Sequence, residues 1–226
     1  MSDLNVQTVI ETPAEMNGDA GELLSAVGSA EALPGLSSLL ARRNGTATGV
    51  AGLRDFLGRY TSEVLLPIEL PTVLAAWEAA EEGHFRDLVK LDRDLSANEQ
   101  LQPFKAASCA VGRRQLNKLR PLRDQRFVQR YRQAMEQGEA AAWHTIVYGI
   151  VLSLYSLPPR DGLQHLAVQT MAGFALNAAP DFGLRLSECR RCLDEIAVGL
   201  APQVNDLFAA SNVGSANIFS AGLLPG

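Results

Sequence analysis

The chain has 226 residues and a mass of 24.3 kDa, with 47% hydrophobic residues, 20% charged residues and a formal net charge of −5. This excludes a disordered or fibrous chain, leaves room for one domain with a proper core, and gives no bulk attraction to nucleic acid. No apolar run reaches the roughly 18 residues of a membrane span, and three cysteines do not make a disulfide scaffold. The expectation is a protein of the reducing cytoplasm, with no membrane and no nucleic-acid partner. The opening residues show no basic and apolar leader.

Residues 1–31 carry six acids (Asp3, Glu11, Glu15, Asp19, Glu22, Glu31) and no base. Residues 1–20 read as a flexible acidic tail. Residues 21–208 read as one helical domain, and 209–226 as a C-terminal docking or flexible tail. Pro34-Gly35 splits residues 22–40 into two short helices around a turn, and residues 42–49 are a loop by composition.

Regular helical spacing then begins. Val50, Leu53, Leu57, Tyr60 and Val64 form one stripe, with Pro67 expected to stop the helix. Pro71 opens a second helix carrying Val73, Trp77 and Ala80, and Gly83 closes it. A third runs from His84 with Phe85, Leu88, Val89 and Leu95 inward. A fourth starts near Asn98 and carries Leu101, Phe104, Ser108 and Val111. Ser108 and Gly112 lie four apart and are small enough to let a neighbouring helix approach.

Residues 105–132 hold nine of the twenty basic residues and one acid, Asp124. The stretch reads as a solvated face, or as a docking patch for an acidic protein or an anion. Aromatics are too few there for stacking on single-stranded nucleic acid. Residues 139–157 are apolar almost all round, which predicts a central helix ended by Pro158-Pro159. Helices over 161–178 and 184–200 follow. Alternating polarity never persists, so no strand is expected. The fold class is all-α, a single-domain bundle of about eight to ten helices.

Catalytic signals are weak. Cys189-Arg-Arg-Cys192 lies inside a helical stripe with no strand before it, unlike a redox motif, and has no partner ligands for zinc. Cys189 reads as core packing and Cys192 as a borderline bystander. His84, His144 and His165 form no pair at helical ligand spacing; His144 and His165 converge only if adjacent helices bring them together. No nucleophile elbow and no phosphate-binding glycine loop is present.

The segment GVAGLRDFLGRYTSEVLLPIELPTVLAAWEAAEEGHFRDLVKLDRDLSANEQLQPFKAASCAVGRRQLNKL resembles the middle of the urease accessory protein UreF family. The likeness lies in a proline-containing turn after a helix, an Ala-rich helix, a Gly-His break, and a helix bearing Ser108-x-x-x-Gly112. It continues in WHTIVYGIVLSLYSLPPRDGLQHLAVQTMAGFALNAAPDFGL through His144, Leu157-Pro158 and Asn177, and in SECRRCLDEIAVGLAPQVNDL. Near the start only Leu33-Pro34-Gly35 with Ser37-Ser38 stands for the family's glycine- and serine-rich motif. Near the end Asn217-Ile218-Phe219-Ser220 stands for its arginine-flanked ending, without the arginines.

The resemblance implies an all-helical homodimer that is no enzyme and carries no cofactor, nickel being handled by its partners. Such a scaffold binds a UreD/UreH-type accessory protein and recruits the nickel-carrying UreG-type GTPase to apo-urease. The family's docking tail falls on Ile218, Phe219, Leu223 and Leu224, apolar anchors in a stretch otherwise poor in them. Ser108, Gly112 and His144 are expected to serve helix packing. The alternatives are a helical metal- or ligand-dependent enzyme using His144, His165 and the cysteines, or a diverged relative serving another metalloprotein.

Overall fold

The computed structural model describes residues 49–119, 125–179 and 182–213. Among them every regular element is helical and no strand occurs, so the fold is all-α. The elements are α1 (Gly49–Tyr60), a π-helical segment (Thr61–Glu69), α2 (Leu70–Glu81), α3 (Phe85–Ala97), a 3-10 turn (Glu99–Leu101), α4 (Gln102–Lys118), α5 (Arg126–Glu136), α6 (His144–Leu154), α7 (Pro159–Ala178) and α8 (Leu186–Val213). Since α1, the π segment and α2 run end to end, the described residues form seven continuous rods, slightly fewer than the eight to ten expected.

That continuity corrects the stop expected at Pro67. A proline in an α-helix lacks an N–H and crowds the carbonyl four residues back. Here the chain widens into π winding, and Leu70 N–H bonds Leu65 O, five residues back. The Thr72 hydroxyl then donates to Ile68 O at 2.7 Å as α winding resumes. The rod passes the proline instead of breaking at it.

At the centre lies α6. Every residue from His144 to Leu152 is buried, which is what an all-round apolar helix requires. It packs most extensively on α2, then on α4. A Cβ at Gly149 would stand 2.6 Å from Val73 O and 2.7 Å from the Ala76 Cβ, so α2 and α6 meet almost backbone to backbone. Around this pair, α7 lies against α8 and α1. Phe174 of α7 meets Tyr60 and Phe56 of α1 edge-on, with centroids 4.4 and 5.8 Å apart. Gly49 N–H closes the start of the described chain onto Phe182 O at 2.9 Å.

Three boundaries differ from the sequence reading. The central helix ends at Leu154, ahead of Ser156 at φ 51°, and not at Pro158-Pro159. The central helix begins at His144, five residues after the expected start, because Ala142 adopts φ 62° and breaks the helix there. The last helix runs on to Val213, past Leu200 and into the segment 209–226. Residues 1–48 and 214–226, which hold the acidic tail and Ile218, Phe219, Leu223 and Leu224, lie outside the described residues. The side chain of Asn177 does too.

Candidate functional site

The most organised polar cluster surrounds the turn that leads into α6. Helix α3 presents Leu88, Asp92 and Leu95 on its inner side, so a carboxylate sits on a stripe otherwise made of leucines. Asp92 is 1% exposed. A buried carboxylate needs donors on every side. Tyr131 of α5 donates its hydroxyl to Asp92 at 2.6 Å. The backbone amides of Ala141, Ala142 and Trp143 donate at 2.6, 3.0 and 3.4 Å. Burial and the nearby Asp92 charge push the Tyr131 hydroxyl well above its ordinary range, so it stays a donor. With four donors on its two oxygens, Asp92 is an anchor for the turn, and its negative charge lies near the positive end of the α6 dipole.

Helix α4 holds the other side of the same turn. The Ser108 hydroxyl accepts from His144 N–H at 3.1 Å, which satisfies a free amide at the start of α6. A Cβ at Gly112 would lie 2.0 Å from Ala142 O and 3.0 Å from His144 N. Only glycine admits the turn that closely. What approaches Ser108 and Gly112 is therefore the entry to α6, more than the flank of a neighbouring helix. The Trp143 indole N–H donates to the Ser96 hydroxyl at 2.9 Å. Arg93 and Arg113 reach in from α3 and α4 to donate to Glu139 O and Ala141 O, each at 3.3 Å.

A family model for UreF matches residues 47–179, more than half of the chain, and the match takes in α3, α4, the turn and α6. The chain belongs to the UreF family. No curated protein matches the sequence. UreF is a urease accessory family and not a family of catalysts, so the function implied by membership is an accessory one. The Ser108-x-x-x-Gly112 pair and His144, quoted above for their likeness to UreF, meet at this turn.

The histidines do not assemble a reactive site. His144 is buried with its Nε2 unpartnered, and burial lowers its pKa to about 4. His165 is buried with Nδ1 unpartnered, and burial lowers it as well. His84 is exposed and pairs with Glu82 at 2.9 Å. Among the described residues no group of three or more His, Cys, Asp or Glu is placed to hold a metal ion. Cys189 and Cys192 are both fully buried on α8, so Cys192 belongs to the core as much as Cys189 does. Burial raises both thiols, away from the thiolate that metal binding or nucleophilic attack needs.

A half-buried acid also escaped the sequence reading. Glu69 ends the π segment and accepts a short hydrogen bond from the Tyr60 hydroxyl, spanning that segment end to end. Burial pushes its pKa up to about 7. The π winding brings residues 60 and 69 together, and no α-helical register would have paired them.

Proposed function

We propose that this UreF-family protein is a non-enzymatic scaffold of urease maturation in the cytoplasm. It binds a UreD/UreH-type accessory protein and recruits the nickel-carrying GTPase, so that nickel reaches apo-urease, and it works as a homodimer. The observation that carries the reading is the UreF family match over 47–179. The buried, fully bonded Asp92 and the buried thiols support it, because both are built for packing and not for turnover.

In this reading Ile218, Phe219, Leu223 and Leu224 supply the apolar contact to the UreD/UreH-type protein. The test is co-purification with that protein when residues 214–226 are deleted, a cut that leaves α8 whole. The shortened protein stays folded and loses the complex. An unchanged complex overturns the tail as docking element. Absence of any complex with the full chain overturns the scaffold reading.

A further inference from the structure

Charge is unevenly distributed along this chain. Residues 84–139 carry 12 Lys and Arg against 7 Asp and Glu, while the remaining residues carry 8 against 18. The basic excess falls on α4, with four Lys and Arg and no acid, and on α5, with three against one, while α3 balances three with three. These helices are contiguous: α3 packs on both α4 and α5, and Asp92 and Ser108 hold the turn into α6 between α3 and α4.

Among the described residues most arginines of this side carry no paired carboxylate, Arg132 with Glu136 at 3.5 Å being the exception, whereas elsewhere several are paired and Arg190 and Arg191 are not. On α1 and α8, Arg54 pairs with Glu195 and Arg59 with Asp55, and Arg185 pairs with Glu188. Among the described residues, Arg93, Arg113, Arg114, Arg126 and Arg130 make no salt bridge. Arg93 and Arg113 are held by backbone carbonyls, and the Arg130 guanidinium lies 4.3 Å from the centroid of the Phe85 ring. Carbonyls and a ring face fix a guanidinium without cancelling its charge. Three cations are thereby held in place with their charge uncompensated, which lowers the ordering cost when a ligand arrives.

We propose that the exposed side of α3, α4 and α5, marked by Arg93, Arg113, Arg114, Arg126 and Arg130, is a docking surface for an acidic segment of a partner protein. Guanidinium groups match carboxylates in geometry as well as charge. Nucleic acid fits less well. The aromatic rings of this side, Phe85 and Phe127, are already engaged edge-on with one another at 6.5 Å, and Arg130 lies over Phe85, so neither is set out as a stacking platform for bases. The inference rests on the scaffold reading for the existence of a protein partner, but its test contains no urease component.

The probe is a labelled glutamate-rich peptide, with the same peptide carrying glutamine at every glutamate and a labelled oligo-uridine as comparisons, read by fluorescence anisotropy. Among the described residues Arg114 and Arg126 are exposed and make no hydrogen bond or ion pair, so Arg114→Glu with Arg126→Glu alters the surface while leaving the core alone, which a thermal melt verifies. The acidic peptide binds, the glutamine peptide does not, and binding weakens as salt rises. The double variant loses roughly tenfold or more in affinity, while Arg190→Glu with Arg191→Glu on α8 stays within about twofold. No binding of the acidic peptide, an equal loss in the α8 variant, or tighter binding of oligo-uridine overturns the proposal. Because the tail deletion is read on a different partner, either idea can fail while the other stands.

Discussion

The Tyr131 hydroxyl donates to Asp92 at 2.6 Å in the interior, tying α5 to α3 through a carboxylate that also accepts from three successive backbone amides. Removing the carboxylate orphans four donors at once. Asp92→Ala is expected to destabilise the protein by roughly 3–5 kcal/mol. Tyr131→Phe removes one donor of the four and should cost about 1–2 kcal/mol. The urea unfolding midpoints of the two variants check this. A midpoint for Asp92→Ala equal to that of the natural chain contradicts the anchoring role.

Gly112 and Gly58 are both helical glycines, yet alanine should act on them in opposite directions. At Gly112 the new methyl meets the Ala142 carbonyl at 2.0 Å, and backbone cannot yield cheaply. Gly112→Ala should cost about 2 kcal/mol or more, as overpacking does. At Gly58 nothing lies within 4 Å. Gly58→Ala should gain up to about 1 kcal/mol from helix propensity. Thermal melts of the pair decide it, and a stabilised Gly112→Ala would mean that the turn does not sit against α4.

Half-buried Glu69 and buried His144 tilt stability with pH in opposite senses. Glu69 ionises at its ordinary 4.5 when unfolded but only near 7 when folded, so folding takes up a proton between those values and stability falls as pH rises through them. His144 protonates near 6.5 when unfolded but only near 4 when folded, so stability falls as pH drops through that window. The two slopes oppose one another where the windows overlap. Glu69→Gln should remove the first and leave the histidine slope visible as a steeper loss toward acid. Melting temperatures across pH 4 to 8 test this, and superimposable profiles for the variant and the natural chain would refute it.

Cys109, Cys189 and Cys192 are all buried, and burial raises each thiol, Cys109 to about 11. In the folded protein none should react with a thiol-specific disulfide reagent on the timescale of minutes, and all three should react in urea. Cys189→Ala with Cys192→Ser should retain urease activation with the cognate partners. Loss of activation in a protein that remains folded would give these thiols a part in metal relay.

The helical class was legible because the 3.6-residue period runs almost unbroken from Val50 to Leu200, and the central helix because its apolar residues leave no polar face. The π segment was not legible. Pro67 reads as a stop under α-helical rules, and the sequence does not say that one widened turn will absorb it. Asp92 was missed because it stands in Lys90-Leu91-Asp92-Arg93-Asp94, where it looks like a solvated acid. A signal existed: Asp92 falls four residues after Leu88 and three before Leu95, on the buried stripe. The same stretch of charge concealed the start of α6. Ala142 at φ 62° breaks the helix, and Asp92, bound to the amides of residues 141–143 from about fifty residues away, holds that turn in place.

The central claim is that this UreF-family protein serves urease maturation without catalysing a reaction itself. The most direct measurement is nickel-dependent urease activity in cells expressing the urease subunits and the other accessory proteins, with and without this chain. The account predicts that active urease appears only when the chain is present. Equal activation in its absence would contradict the account.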